Sequence, residues 1–301
     1  MTLLFKKILL LSAPLLAFLF FAEVRLRTIT TQFEKKKVEF EEKIPAVDLL
    51  ILGNSHGENA IVPTLLSDSG YNLSLPSQSL FYNEKLLEKY LPKMKKLKQV
   101  IITVDYHSFY FVDQELSAFN NDKFFGVSKK YYDYRFTSEN LSFFFFVYGA
   151  LPSLNYLMYK PKLPVPERGF EPLPGADSSV INAHNGSVRA SSHNALAVKD
   201  KKLKSLLLQS LVKMIDLLKK QNIQVMLVST PVFHTYYDDL NSDVLRNNKQ
   251  VLDSISSTYD VPYFNFLQLP ELEMADFSDN DHLSQSGAIK FTTLLGKLIR
   301  R

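Results

Sequence analysis

The stretch Val47-Asp48-Leu49-Leu50-Ile51-Leu52-Gly53-Asn54-Ser55-His56 decides the fold. Val47 to Leu52 is a nearly continuous apolar run, the pattern of a parallel strand buried on both faces. Gly53-Asn54-Ser55 breaks that run and presents a serine on a tight turn. Further along, apolar runs alternate with segments of helical spacing. Tyr71 to Leu75 reads as a short second strand that stops at Pro76-Ser77. Asn83 is placed to cap a helix whose apolar face is Leu86, Leu87, Tyr90, Leu91, Met94 and Leu97. Val100 to Val104 is the third strand. Leu203, Leu207, Leu211, Met214, Ile215 and Leu218 recur at helical spacing ahead of a fourth strand, Ile223 to Val228. Val244 to Tyr259 predicts another helix and Tyr263 to Phe266 a fifth strand. Ser284 is placed to cap a final helix with Ala288, Phe291, Leu294, Leu295 and Leu298 facing the core. This alternation predicts a three-layer α/β/α domain around a parallel sheet. In such sheets ligands sit beyond the carboxyl ends of the strands. Ser55, Ser77, Asp105 and Thr230 all follow strand ends, so they are expected to share one edge.

The chain has 301 residues, enough for one large α/β domain with a buried core or two small ones. Hydrophobic residues make up 46% and charged residues 22%, which excludes a disordered chain and a polytopic membrane protein. The formal charge is +4, a mild excess carried largely by helical lysine runs such as Lys93 to Lys98 and Lys199 to Lys204. Those runs read as solvated helix faces. Cysteine is absent, which excludes disulfides, zinc-thiolate sites and thiol catalysis. At the N-terminus, Lys6 and Lys7 precede an apolar run from Ile8 to Ala22. With Leu3 to Phe5 added and the lysines snorkelling, the run approaches the roughly 20 residues of a membrane span. A signal-peptide cut after Ala22 fits poorly, because bulky Phe20 stands two residues before it. Residues 1–27 are therefore expected to be an uncleaved signal anchor. The lysines on its N-terminal side favour an orientation that places the rest of the chain outside the cytoplasm. Residues 28–44 read as a polar helical stalk ended at Pro45, and 45–301 as the α/β domain. An insertion at about 113–199 interrupts the alternation. Its aromatic clusters and its Pro-rich segment, Pro161 to Pro174, are expected to form a lid over the sheet.

The second informative stretch is Phe277-Ser278-Asp279-Asn280-Asp281-His282-Leu283, just ahead of the final helix. A serine hydroxyl is a poor nucleophile until a base takes its proton and a carboxylate orients that base. Asp-x-x-His supplies both from one loop. Gly53-Asn54-Ser55-His56 after the first strand, followed at the other end of the chain by Asp279-Asn280-Asp281-His282, resembles the SGNH/GDSL hydrolase superfamily. The resemblance covers roughly residues 45–112 and 200–301 and leaves out the insertion. The membrane-anchored layout is similar to the branch that contains alginate-type O-acetyltransferases and the D-alanine transfer protein of teichoic acids.

That resemblance implies an SGNH-hydrolase-like fold with Ser55 as nucleophile, His282 as base and Asp279 as its orienter. It implies an oxyanion hole from the backbone N–H groups of Ser55 and Ser77, the latter standing where the family has a glycine. Two departures follow. Asn54 replaces the usual aspartate, keeping hydrogen-bonding capacity without the charge. The third block, Thr103-Val104-Asp105-Tyr106-His107, lacks the family's asparagine, so Tyr106 or His107 is a candidate substitute donor. Asn54, His56, Asp105, Tyr106 and His107 are candidate site-lining residues. Asp281 has the wrong spacing to His282 for the family and is expected at the surface. His107 and His234 read as packing or surface residues, and His184 and His193 as loop residues. No spacing among the histidines suggests a metal site, and no nucleotide-binding or nucleic-acid motif is present. No cofactor is implied. The partners implied are an acyl donor, a glycan or lipid acceptor, the membrane, and by resemblance alone a polytopic membrane acyltransferase. Three readings stand: an extracytoplasmic O-acyltransferase acting on an envelope polysaccharide, a carbohydrate or lipid esterase with the same residues, and a catalytically idle binding or assembly domain.

Overall fold

In the computed structural model the described residues are 2–27, 32–110, 168–197 and 201–299. Most of the insertion, with its aromatic clusters at Phe124-Phe125, Tyr131-Tyr132 and Phe143 to Phe146, lies outside them, and so does the expected lid. The chain divides into two compact units. One takes in Met1–Lys37 and Asp113–Val165 and contains helix α1 (Thr2–Arg27). Within α1, Lys6–Arg25 has a mean hydropathy of 2.0 over 20 residues, long and apolar enough to cross a membrane.

The other unit, Val38–Val112 with Pro166–Arg301, is built on one sheet. Its strands are β1 (Leu49–Leu52), β2 (Tyr71–Asn72), β3 (Gln99–Thr103), β4 (Gln224–Ser229) and β5 (Tyr263–Asn265). The order is β2-β1-β3-β4-β5, and every pairing is parallel. This is the doubly wound arrangement, with its switch point between β1 and β3, where connections from neighbouring strands leave in opposite directions. β1 and β3 pair over four residues, Leu49 with Gln99 through Leu52 with Ile102.

Successive side chains of a strand point to opposite faces, and here both faces are covered. On one, Leu49, Ile51, Ile101, Met226 and Val228 form a core with Phe291 and Leu295 of the final helix and Ala60 at the end of the short helix after β1. On the other, Leu50, Leu52, Val100, Ile102 and Leu227 are fully buried. Helices α4 (Leu80–Tyr90) and α6 (Lys201–Lys219) pack against each other and bury Leu86, Leu87, Leu207, Leu211 and Met214. Glu84 ties the two helices together by accepting from Ser210 Oγ and Lys213 Nζ, each at 2.6 Å. The three-layer α/β/α class expected from the alternation is the one observed.

The structure departs from the expected elements in three places. Helix α4 begins four residues earlier than expected. Ser79, whose Oγ accepts from Tyr82 N at 3.4 Å, is its cap, and Asn83 lies inside it, buried. The polar segment ahead of Pro45 forms α2 (Gln32–Lys43), and its last turn is docked on the domain. Phe40, the one aromatic of that turn, is fully buried between Tyr71 and Tyr90, and Glu39 and Glu41 accept from the hydroxyls of the same two tyrosines. Residues 183–197, read as part of a polar insertion, form helix α5 (Ala183–Ala197), which buries Gly186, Ala190 and His193. Gly186 lets α5 approach a four-residue helix, α7 (His234–Tyr237), closely enough that a Cβ there would meet the Thr235 carbonyl. Among the described residues the other α-helices are α3 (Ser55–Ala60), α8 (Ser242–Tyr259) and α9 (Gln285–Ile299).

The turn that leaves β1 is equally tight. A Cβ on Gly53 would overlap Thr103 Oγ1 on β3 and sit 3.2 Å from Ser74 Oγ. Thr103 Oγ1 is buried and makes no hydrogen bond among the described residues. Gly53→Ala is therefore expected to lower stability by about 1–3 kcal/mol through overpacking. Adding Thr103→Ala should recover most of that loss. Urea unfolding of the single and double variants checks both statements, and additive losses in the double variant would contradict this account of the turn.

Candidate active site

Parallel strands place the turns after β1, β3 and β4 on one edge of the sheet, and the site is assembled there. The turn after β1 delivers Ser55 as the first residue of α3. Asn54 caps that helix: its Oδ1 accepts from His56 N at 2.9 Å. From the loop ahead of α9, His282 Nε2 lies 2.9 Å from Ser55 Oγ. His282 Nδ1 is 3.0 Å from both carboxylate oxygens of Asp279. The carboxylate fixes the tautomer: Nδ1–H donates to Asp279, leaving Nε2 to accept from the Ser55 hydroxyl.

The loop that carries Asp279 and His282 is held by its own hydrogen bonds. Asp279 Oδ1 also accepts from the backbone N–H of Asp281 at 2.9 Å and of His282 at 2.8 Å. Ser278 N donates to His282 O at 2.9 Å, and Phe277 bridges Leu283. Asn280 O accepts from Phe233 N at 3.0 Å, and Asn280 Nδ2 donates to Asn182 O at 3.1 Å. Ser284 O and Oγ accept from Ala288 N and Gly287 N, capping α9 as its position predicted.

Behind Ser55 and His282 lies a buried set of charges. His56 is enclosed, its ring 4.8 Å from that of His282 and 5.1 Å from that of His107, centroid to centroid. His56 Nε2 is 3.2 Å from Asp281 Oδ2, and Nδ1 is 3.7 Å from Asp105 Oδ1. Burial by itself would depress the His56 pKa, but the carboxylates of Asp105 and Asp281 outweigh it and raise the value to about 10. His56 is thus an imidazolium at neutral pH. Asp281 differs most from expectation. It is 2% exposed, not a surface residue, and it also accepts from Arg189 Nε of α5 at 2.8 Å. Burial opposes its ionisation, yet His282, His56 and Arg189 hold its carboxyl well below the usual range.

His107 is buried against the same layer, and its pKa is driven well below the ordinary value, first by burial and then by the neighbouring His193, His56 and Arg189. His193 was read as a loop residue. It lies inside α5, stacks on His107 at 4.3 Å, and faces the Tyr236 hydroxyl at 2.7 Å through Nδ1. Burial and Arg189 lower its pKa to about 3. Asp105 closes the layer from below, its Oδ1 accepting from Thr230 N at 3.2 Å and Thr230 Oγ1 at 2.9 Å.

Among the other candidates, Tyr106 turns away from Ser55. Its ring packs with Ala190, Val232, Tyr236, Leu240 and Leu267, and its hydroxyl donates to Asn194 Oδ1 at 2.5 Å. His184 and His234 are exposed. Ser77 follows β2 with φ at 57°, the left-handed conformation that a glycine adopts without strain. The segment thus keeps the backbone shape of a glycine turn although the residue is serine. His56, Asp281 and His282 bring one polar atom each within 4.8 Å of one another. Those atoms already pair among themselves and with Ser55, Asp279 and Arg189, so the set reads as a hydrogen-bonded ion cluster.

Arg189 was not singled out from the sequence, and Asp281 and His193 were placed elsewhere. The available signal was the spacing Gly186, Ala190, His193, a helical face of small residues ending in a histidine, within a segment whose polar character suggested a loop.

No protein-family model matches the chain, and no curated protein matches it. Among solved structures it is similar to an acylhydrolase-like protein from Bacteroides fragilis (TM-score 0.44, 11% identity, 87% of this chain and 93% of that one). It is also similar to a GDSL-like lipase from Bacteroides thetaiotaomicron (TM-score 0.44, 10% identity, 89% and 98% covered). A third is a lipolytic protein of the G-D-S-L family from Desulfitobacterium hafniense (TM-score 0.43, 9% identity, 84% and 99% covered). At such identities no residue role follows from them, and the site stands on its own geometry.

The amide of Asn54 makes a test of that geometry. Because Oδ1 takes the His56 N–H, Nδ2 is the atom that faces His107 Nε2 at 3.1 Å and donates to it. An aspartate keeps the first bond and sets a carboxylate oxygen against His107 Nε2, so the second contact survives only if the ring moves its proton from Nδ1 to Nε2. Asn54→Asp is expected to cost about 1–3 kcal/mol of stability at alkaline pH, where His107 is neutral. The new carboxylate would raise the His107 pKa, so the stabilisation this gives is present at low pH and lost as pH rises. Urea unfolding at mildly acidic and alkaline pH should therefore show a smaller deficit in acid. An equal deficit at both would contradict the assignment.

Proposed function

We propose that the chain is a serine acyl-transfer enzyme in which Ser55 attacks, His282 moves the proton and Asp279 orients the imidazole. The observation that carries this reading is the continuous path from Ser55 Oγ through His282 Nε2, at 2.9 Å, to Asp279 at 3.0 Å from Nδ1. A serine, a base and a carboxylate in hydrogen-bond contact are what nucleophilic catalysis by a hydroxyl requires. Ser55 and His282 are partly exposed, so an ester can reach the hydroxyl from solvent.

In the first half-reaction Ser55 Oγ forms a bond to the ester carbonyl carbon as its proton passes to His282 Nε2. The carbonyl oxygen becomes an oxyanion. Ser55 N–H, at the first position of α3 and without an acceptor inside its helix, is one donor for it. Ser77 N–H, on the glycine-like turn after β2, is the second. Asp279 stabilises the imidazolium through Nδ1–H. The carbon–oxygen bond to the leaving alcohol then breaks, and His282 returns the proton to that alcohol. An acyl group remains on Ser55. In the second half-reaction an acceptor hydroxyl gives its proton to His282 and bonds the acyl carbon; as the bond to Ser55 Oγ breaks, His282 returns the proton to that oxygen.

The acceptor separates transferase from esterase, and the residues are the same for both. The reading extends to an O-acyltransferase that acylates an envelope polysaccharide. α1 anchors the chain in the cytoplasmic membrane, and Lys6 and Lys7 ahead of the apolar run favour an extracytoplasmic α/β domain. A polytopic membrane acyltransferase that delivers the donor would complete this scheme.

Full-length protein in detergent, incubated with p-nitrophenyl acetate and followed by intact mass, is expected to carry a transient acetyl adduct that Ser55→Ala lacks. Turnover should fall by roughly 10⁴-fold or more in Ser55→Ala and in His282→Ala. Added oligosaccharide should become acetylated by a transferase, whereas an esterase releases only acetate. Full turnover by Ser55→Ala would overturn the reading. Absence of adduct and turnover in folded wild-type protein would favour the idle binding domain.

A further inference from the structure

We infer that Asp281 is a second carboxylate support for His282, a positioning residue tuned by Arg189 from helix α5. The inference deepens the proposed function and rests on that reading of Ser55 and His282. Asp281 Oδ1 lies 3.5 Å from His282 Nδ1, the ring nitrogen that Asp279 also faces. Its other oxygen is fully engaged, accepting from Arg189 Nε at 2.8 Å and facing His56 Nε2 at 3.2 Å. The two carboxylates differ in surroundings. The Asp279 side chain is 42% exposed, whereas that of Asp281 is 2% exposed. An exposed charge is screened by water and salt, and a buried one at similar range acts with much less screening. Asp279 therefore holds the ring by its hydrogen bonds, while Asp281 places a buried negative charge, offset in part by Arg189 and His56, near the same nitrogen.

A lone buried carboxylate is costly, and here two cations offset it. Arg189 bonds Asp281, and the His56 imidazolium lies between Asp281 and Asp105. The net field at His282 is thus set by groups on four elements. Asp279 and Asp281 come from its own loop. His56 comes from α3, Asp105 and the neutral His107 from the turn after β3, and Arg189 and the neutral His193 from α5. Removing one anion or one cation from this set must move the protonation of His282 in opposite directions. A residue that merely fills space would produce no such opposition.

Asp281→Asn removes the nearest buried anion and leaves Arg189 in place. The midpoint at which the His282 ring gains its proton should fall by about one pH unit. Arg189→Gln leaves Asp281 less compensated, and the midpoint should rise by about half a unit. The measurement is the histidine ring resonance in full-length protein labelled at Cε1, in detergent, assigned by its loss in His282→Ala. This readout does not require turnover, so it stands even if the chain proves catalytically idle. Where wild type turns over p-nitrophenyl acetate, the acid limb of kcat/KM should shift in the same two directions. kcat of Asp281→Asn should also fall about 10- to 100-fold with KM little changed.

Opposite shifts in the two variants support the inference. No shift in either, or shifts of the same sign, would overturn it. Should Asp281→Asn fail to fold, Arg189→Gln decides alone, since that side chain is 43% exposed and a glutamine amide keeps a hydrogen-bond donor on α5. An unchanged or lowered midpoint there would refute the role. Failure of Ser55→Ala to lose activity would instead refute the nucleophile and leave these shifts unaffected.

Discussion

The pairing of β1 with β3 is the constraint from which the site follows. Four residues of parallel register bring Gly53 on one strand against Thr103 on the next, with no room for a side chain at the glycine. The chain beyond β1 must then turn at once, and Asn54 and Ser55 form that turn. The chain beyond β3 descends beside it as Asp105-Tyr106-His107. At this switch point the crevice opens because the two connections leave toward opposite faces of the sheet. The strands are apolar on both faces, so burial alone would tolerate a slip of one residue, but such a slip would misplace every polar residue at the edge.

The cost of that placement is a layer of ionisable groups deep in the domain. His56, Asp105 and Asp281 are each almost fully enclosed, and such charges persist only when paired. The pairing is closed by an element from outside the βα alternation. Helix α5 reaches the layer because Gly186 lets it lie against Thr235, and it supplies Arg189 to Asp281 and His193 to His107. The helix is thus needed for electrostatic balance as well as for cover. Ser55 and His282 sit at the outer boundary of this layer, where solvent still reaches them.

Much of the architecture was legible in the sequence. Continuous apolar runs of four to six residues, each followed by a turn residue, have few outcomes other than buried parallel strands. The approach of Ser55 to His282 was legible for a related reason: both follow signals that terminate an element, and a parallel sheet gathers strand ends on one edge. What could not be read was polar burial. Asp281 looks like a surface residue because Asp is rarely buried unless paired, and its partners, His56 and Arg189, are 225 and 92 positions away. Nothing local announces such a pair. The same holds for Phe40, whose polar neighbours suggested a free stalk although the ring is clasped by two tyrosines from distant strands and helices.

The two departures from the family pattern lose their separate character once the contacts are known. Read singly, Asn54 in place of aspartate and His107 near the position of an asparagine each weaken the resemblance. In the structure they touch, and each explains the other. With its proton on Nδ1, a neutral His107 offers an acceptor at Nε2, and the Asn54 amide supplies the donor opposite it. Burial and the nearby cations keep His107 neutral, so the donor requirement is constant across the physiological range. With Oδ1 committed to the His56 N–H and Nδ2 facing His107, the amide makes both contacts at once. The turn that carries Ser55 is therefore held in part by the contact of Asn54 with His56 and His107.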